Sequence, residues 1–314
     1  MRVLMVTNMY PTRERPEFGV FVREQLEALG RRDDLDVDLY VIEGGGMKAY
    51  RKAVKPLKKH LKEREYDIVH AHYGLTGFVA RSAKAKPLVV TFHGTDLTNK
   101  KVARISRRVA AKADQAIVVS ESLAEKLPKR TKRPVAVLPT GVDMNRAQRV
   151  DRVQARRELN LDPEGTYLLF PADPSRPEKR FDRAQELAGG IEDARLLTLG
   201  GVEPARVNLL INAADAVIVP SEYEGFGLAT MEALACDVPV VATPTGIAPE
   251  VLPRVAGCHC LEYDHADWHI ALDSILADPD PRVHGRAVAA EFSTDAMAAR
   301  LVEIYSNLMP EDGR

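Results

Sequence analysis

The stretch Pro220-Ser221-Glu222-Tyr223-Glu224-Gly225-Phe226-Gly227-Leu228-Ala229-Thr230-Met231-Glu232-Ala233-Leu234-Ala235 decides how this chain reads. An apolar run, residues 216–219, leads into it, and Leu228, Met231, Leu234 and Ala235 lead out at helical spacing. Strand, Gly-x-Gly turn and helix place free backbone N–H groups above the carboxyl end of the strand, a seat for an anionic diphosphate. Gly225 and Gly227 allow close backbone approach and positive φ. Glu224 and Glu232 flank the seat, and carboxylates accept hydrogen bonds from hydroxyls. A diphosphate with hydroxyls on either side describes a nucleotide-sugar. The plainer alternative makes Glu224 a helix cap and Glu232 a solvated residue. Against it, Glu232 lies beside the apolar face of its helix, where a carboxylate needs a partner.

The same alternation runs through the chain. Apolar runs stand at residues 3–7, 37–42, 68–71, 88–92, 116–119 and 135–138, then at 167–170, 196–199, 216–219 and 238–242. Helical patterns lie between them, the first carrying Phe21, Val22, Gln25, Leu26 and Leu29 before a stop at Gly30. Continuously apolar strands alternating with helices predict parallel sheets covered on both faces. The series runs twice, with a polar break over residues 143–163. This predicts an α/β chain of two doubly wound, Rossmann-like domains facing across a cleft: residues 1–148, residues 149–291, and a last helix over 292–314 packing back on the first domain. Ligands in such sheets bind at strand carboxyl ends.

Composition limits the function classes. With 314 residues, 45% hydrophobic and 28% charged, the chain is globular in type. No apolar run reaches membrane-spanning length, and residues 1–7 read as a buried strand rather than a signal peptide. Three cysteines, Cys236, Cys258 and Cys260, argue against a disulfide framework and suit a reducing cytoplasm. Cys258-His259-Cys260 lacks nearby ligands for a closed metal site and reads as a strand. The net charge of −1 hides a split: residues 1–150 carry 30 Lys+Arg against 17 Asp+Glu, residues 151–314 carry 14 against 28. Two halves so different in sign handle different ligands.

Three further loops follow apolar runs. Residues 8–19 end in Gly19 at a helix start, which suits phosphate contact; an ordinary surface loop is the equal alternative. His93, in Thr91-Phe92-His93-Gly94-Thr95-Asp96, stands at a strand end, where an imidazole can donate to a sugar oxygen or carry charge near neutral pH. A structural histidine is the alternative. Arg176 and Lys179 follow the first strand of the second half, across the sheet from the Glu224 loop. A departing diphosphate needs positive charge, which guanidinium and ammonium supply. A merely solvated basic helix start would oppose the helix dipole.

Taken together these residues resemble the retaining GT-B glycosyltransferases, the group 1 glycosyl transferases that include bacterial mannosyl- and glucosyltransferases of polysaccharide and glycolipid assembly. The shared pattern runs from Pro220-Ser221 through Glu224-Gly225-Phe226-Gly227-Leu228, Glu232-Ala233-Leu234-Ala235-Cys236 and Pro239-Val240-Val241-Ala242-Thr243, with Glu224 and Glu232 at the family's Glu-x7-Glu positions. His93-Gly94, Arg176 with Lys179, Gly141-Val142-Asp143, Tyr10-Pro11, Gly19-Val20-Phe21-Val22 and Phe292-Ser293 support it. The resemblance implies the GT-B fold and a nucleotide-sugar donor, UDP- or GDP-linked, with no other cofactor and no metal. It implies that Glu232 holds the ribose, and that Glu224, Gly225, Phe226, Gly227 and Leu228 hold the donor sugar. Arg176 and Lys179 would neutralise the diphosphate, His93 would contact the sugar near the reaction centre, and Gly19 would approach the phosphates. His93, Arg176, Lys179 and Glu224 are the catalytic candidates. The implied mechanism retains configuration by front-face attack, the leaving phosphate taking the acceptor proton, so the glutamates are ligands rather than a hydrolase acid–base pair.

The sequence departs from the family in places. Residues 196–203 run almost directly into 206–214, where longer relatives insert a helix and strand near the base pocket. Pro139-Thr140-Gly141-Val142-Asp143 replaces Pro-Asn-Gly-Val-Asp, Pro244-Thr245-Gly246 replaces the usual Gly-Gly, and the N-terminal glycine pair is Phe18-Gly19. In the family the first domain binds the acceptor, and here it is the basic one. Its charge concentrates in residues 47–65, interrupted by Pro56, and in residues 100–112. Either segment suits an anionic, lipid-linked or glycan acceptor and peripheral contact with an anionic membrane at the cytoplasmic face; a solvated basic face is the alternative. No nucleic-acid motif accompanies the charge. Gly44-Gly45-Gly46 reads as a hinge. A GT-B sugar-nucleotide epimerase or a non-catalytic binder are the competing classes. A pyridoxal-dependent phosphorylase is disfavoured because no lysine follows Lys179.

Overall fold

Each apolar run of the sequence forms a parallel strand, and the strands sort into two sheets in a computed structural model that describes residues 1–309. The chain divides into two units. One comprises Met1–Gly141 and the segment from Thr294 onward; the other is Val142–Ser293.

The first unit has strands β1 (Arg2–Thr7), β2 (Asp36–Val41), β3 (Ile68–His72), β4 (Leu88–Phe92), β5 (Gln115–Val118) and β6 (Ala136–Val137), in the order β2-β1-β3-β4-β5-β6. Its helices are α1 (Val20–Gly30), α2 (Gly46–Glu63), α3 (Gly74–Ser82), α4 (Thr95–Thr98), α5 (Lys100–Ala110) and α6 (Glu121–Ala124), joined by the chain's last helix, α14 (Thr294–Ser306). Every residue of β3 and β4 is buried, as expected of central strands covered on both faces. Period-two alternation puts Ile68, His70 and His72 on one face. Helices α1 and α14 pack together, and Met297, Ala298, Leu301, Val302 and Tyr305 share one core with Val3, Met5, Ile68 and Val89.

The second unit opens with α7 (Arg152–Glu158). Strands β7 (Thr166–Phe170), β8 (Ala194–Thr198), β9 (Ala216–Val219), β10 (Val240–Ala242) and β11 (His259–Cys260) follow, in the order β11-β10-β9-β7-β8. Helices α8 (Phe181–Gly189), α9 (Pro204–Ala213), α10 (Leu228–Ala235), α11 (Ala248–Val251), α12 (His265–Leu276) and α13 (Arg286–Ala290) cover it. Its core centres on Leu168, Phe170, Ile218, Val241 and the fully buried Trp268.

Three sequence expectations change. The division falls at Gly141/Val142 rather than 148/149, because residues 146–150 are tied to the second unit. The Gln148 N–H donates to Asn208 Oδ1 at 3.0 Å and the Val150 N–H to Asn212 Oδ1 at 2.8 Å. Residues 292 and 293 also stay there: the Val142 N–H donates to the Phe292 carbonyl at 2.8 Å, and Val142 bridges Ser293. Pro56 does not interrupt its helix, since α2 runs through it. Proline removes one N–H and frees the Lys52 carbonyl. Lys52, Lys55 and Pro56 are all exposed, so water can serve that carbonyl. Gly46 is the first residue of α2, with Gly44 and Gly46 at positive φ.

Candidate functional site

Strand β7 lies between β8 and β9, so strand order reverses at it, and the loops leaving β7 and β9 are neighbours at a topological switch point. The sequence reading has Lys179 supply positive charge to the Glu224 seat from across the sheet, and this adjacency makes the two side chains direct partners. Lys179 Nζ donates to Glu224 Oε2 at 2.5 Å, and Ser221 Oγ donates to Glu224 Oε1 at 2.7 Å. Both charged side chains are nearly buried, 13% and 11% exposed, so the pair is far less screened than a surface ion pair. Thr243 Oγ1 donates to the Ser221 carbonyl at 2.5 Å, and the Glu222 N–H donates to the Glu178 carbonyl at 2.9 Å, stitching the loops together. Lys179 ends a short 3-10 turn, Pro177–Lys179, and Arg180 follows in the left-handed region at φ 57° before α8 begins. That reversal aims Lys179 at Glu224 while Arg180 bonds Asp182 and Glu222 outside.

Arg176 is placed differently from Lys179. Its guanidinium bonds Glu178 Oε1 at 2.6 and 2.9 Å and its side chain is half exposed. The basic pair expected from sequence is therefore split, one member on Glu224 and the other on Glu178.

The Gly-Phe-Gly loop is held from beneath. The Ile247 N–H donates to the Phe226 carbonyl at 2.7 Å. Gly246 sits at φ +59°, where an added Cβ would come within 2.3 Å of the Phe226 oxygen, so that crossing admits only glycine. Gly227 takes φ +97° and caps α10; Gly225 needs no positive φ. Leu228 and Ala229 open α10, where N–H groups have no intrahelical acceptor. Glu232, one turn on, is buried, and burial raises its carboxyl pKa while Arg146 opposes the rise. Arg146 Nη2 donates to Glu232 Oε1 at 2.6 Å, and the pair lines a small recess with Val207, Asn208 and Ile211.

In the first unit, Gly19 begins α1 at φ 77°, and a Cβ there would meet the Met9 carbonyl atoms at 2.4 Å. The 8–19 loop thus folds back on the start of α1. Phe21, two residues on, lies 4.9 Å from the His93 ring, so the Gly19 turn and the end of β4 meet. His93 Nε2 is 3.1 Å from His72 Nδ1, with the two rings stacked. His72 in turn lies 4.4 Å from His70, ring to ring, and His70 bonds Tyr305 Oη at 2.6 Å and Thr91 Oγ1 at 2.7 Å. Burial lowers His70 and His93 to about 3 and His72 well below its usual value. His93 is therefore neutral near pH 7, and the expectation that it could carry charge there is corrected. Asp96 fixes its backbone: Oδ1 accepts the N–H of His93 at 3.1 Å and of Gly94 at 2.9 Å, and Oδ2 accepts that of Gly74 at 3.0 Å. Desolvation still dominates and pushes the Asp96 carboxyl up to about 6.

Asp96, Ser221, Arg146, His72 and Gln25 were not singled out from sequence. A signal existed for His72, since His70-Ala71-His72 places two imidazoles on one strand face beside His93. Among the described residues no cluster of three or more His, Cys, Asp or Glu could hold a metal ion.

Residues 7–146 match the family described as Glycosyltransferase Family 4, and residues 178–291 match Glycosyl transferases group 1. The chain is 33% identical over 285 residues to a D-inositol 3-phosphate glycosyltransferase of Mycobacterium sp. (strain KMS), covering 73% of this chain and 63% of that protein. It therefore spans less than two thirds of the length of that relative. It is 31% identical over 324 residues to the same-named protein of Actinosynnema mirum, covering 83% of this chain and 77% of that one. Its fold is similar to that of sucrose-phosphate synthase from Thermosynechococcus elongatus, with a TM-score of 0.82 at 19% identity over 98% of this chain and 99% of that one. It is also similar to Anabaena HepE in complex with UDP-glucose, with a TM-score of 0.74 at 17% identity over 98% and 100%. Two parallel Rossmann-like sheets, the Glu224 and Glu232 loop at a switch point and these matches along both units place the chain in the group 1 glycosyl transferase family, on the GT-B fold.

Proposed function

We propose that this chain is a retaining, metal-independent glycosyltransferase that moves a hexosyl group from a uridine or guanosine diphosphate sugar to an anionic glycan or lipid-linked acceptor. The observation that carries the reading is Lys179 Nζ held on Glu224 beside Ser221 at the switch point. A donor diphosphate competes with Glu224 for the ammonium. Once Lys179 turns to the phosphates, the Glu224 carboxylate is released to accept the sugar hydroxyls. Arg176, on an exposed pair with Glu178, can move to the same charge at little cost. Glu232 takes the ribose hydroxyls. Transfer breaks the bond from the anomeric carbon to the leaving phosphate oxygen and forms one to the acceptor oxygen on the same face. The acceptor proton passes to the leaving phosphate. Lys179 and Arg176 stabilise the charge on that phosphate, the work a metal ion would otherwise do. Anabaena HepE, solved with UDP-glucose, favours uridine as the base.

A thermal-shift panel of UDP-, GDP- and ADP-sugars tests the donor. At a hundred times its Kd a ligand adds about 2.7 kcal/mol of stability, so one nucleotide should raise Tm by several degrees above the others. A flat panel removes the reading, and an inverted anomer in the product removes retention.

The acceptor is proposed to be anionic and met at a membrane surface. Relatives named for inositol 3-phosphate favour an anionic acceptor. In α2, Lys48, Arg51, Lys52, Lys55, Lys58 and Lys59 are exposed, and in α5 Lys100, Lys101, Arg104, Arg107 and Arg108. Among the described residues no helix is long and apolar enough to cross a membrane, so contact would be through headgroups. Flotation with vesicles containing anionic lipid should carry the protein upward, and neutral vesicles should not. Equal absence from both would end the membrane proposal.

A further inference from the structure

The His72–His93 contact continues one step further, into α1. Gln25 is buried on that helix, one turn after Phe21, and its Nε2 lies 3.5 Å from His72 Nε2. A side-chain amide nitrogen only donates, so His72 Nε2 is the acceptor of that contact. In a neutral imidazole the one proton then sits on the other nitrogen, His72 Nδ1. That atom faces His93 Nε2 at 3.1 Å, so it donates and His93 Nε2 accepts. His93 is neutral as well, which leaves its proton on Nδ1. Among the described residues His93 Nδ1 has no protein partner. The ring itself cannot turn freely, stacked on His72 and packed against Phe21, while the His93 backbone N–H is held by Asp96.

We propose that Gln25 and His72 are positioning residues that fix the tautomer of His93, so that His93 offers a donor, Nδ1–H, and never a base, to the ligand. Resting on the function proposed above, that ligand atom is an oxygen of the donor sugar. A fixed donor orients the sugar through one directed hydrogen bond, and it excludes proton abstraction from the sugar by this ring. Nothing in the His72 or Gln25 side chain touches the sugar; both act through His93.

The Gln25→Glu variant tests the direction of the chain. A carboxylate in place of the amide accepts from His72 Nε2–H, which turns His72 Nδ1 into an acceptor and moves the His93 proton to Nε2. Nitrogen-15 spectra of ring-labelled histidine in the unliganded protein read the tautomers directly. Wild type should show His93 protonated at Nδ1, and Gln25→Glu should show it protonated at Nε2. With a nucleotide-sugar, Gln25→Glu should lower kcat by on the order of 100-fold, the loss expected when a substrate-positioning contact is misdirected, with KM for the donor changed much less. His72→Asn keeps an N–H where Nδ1 stood and should retain more turnover than His72→Leu, which a purely structural role would not require. Wild-type His93 protonated at Nε2, or a tautomer unmoved by Gln25→Glu, overturns the assignment; so does equal turnover in His72→Asn and His72→Leu. The ring spectra need no substrate. A protein that shows the expected tautomers and transfers no sugar would refute the proposed function and leave the tautomer assignment supported.

Discussion

Lys179→Ala is expected to lower sugar transfer by about three orders of magnitude, the upper range for loss of one preorganised charge-stabilising donor. Lys179 is the last lysine of the chain and follows Lys132 with no lysine between, so no other amine in the second unit can replace it. The same substitution leaves Glu224 nearly buried without its cation, with Ser221 as its remaining partner. Removing one member of a buried pair costs roughly 3 kcal/mol or more, so Lys179→Ala should also melt lower. Stability and transfer can be separated. The double variant Lys179→Met with Glu224→Gln removes both charges, which should recover most of the lost Tm while transfer stays at the level of the single variant. Lys179→Arg should regain little, since a planar fork does not reproduce a compact ammonium. The measurements are kcat/KM and melting curves for the three proteins. Turnover in Lys179→Ala within tenfold of wild type would show that Lys179 does not carry the diphosphate.

Acid should destabilise the first unit steeply. His70, His72 and His93 are neutral when folded and free to protonate when unfolded, so the unfolded chain binds more protons from about pH 6.5 down to about 3. Their contribution is complete above 6.5 and is lost as pH falls. Each ring gives up about 1.4 kcal/mol per pH unit. Asp96 acts in the opposite sense. Raised to about 6, it binds its proton in the folded state first and returns part of the loss between about pH 6 and 4. The three rings outweigh Asp96, so the balance is a net loss of stability as pH falls below about 6.5. Melting curves from pH 8 to 4.5 should therefore fall sharply below 6.5, and His72→Asn, with one titrating ring fewer, should flatten the slope. A Tm as level below 6.5 as above it would contradict the neutral folded state of these rings.

What the sequence shows and what it hides follow from the range of each interaction. Strand and helix are local patterns, so both sheets and the Glu224 loop could be read from periodicity and turn residues. The Lys179–Glu224 partnership could be anticipated only as chemistry, because the adjacency of β7 and β9 depends on strand order. Arg146 meets Glu232 from 86 residues away, and nothing local in either segment announces it. Arg176 was grouped with Lys179 by spacing, yet the 3-10 turn between them sends the two side chains to different carboxylates. Pro56 was read as a break, but where the freed carbonyl faces water a helix can continue past proline.

The last helix has a consequence for how the protein is made. The core of the first unit includes Met297, Leu301 and Tyr305 beside Val3 and Met5, so it stays open until synthesis has passed residue 305. The second unit, by contrast, is one continuous segment, Val142–Ser293, and holds all its own strands. Domains usually finish in the order they are synthesised. Here the part begun first is completed last, and until then the buried His70 of β3 lacks its Tyr305 partner.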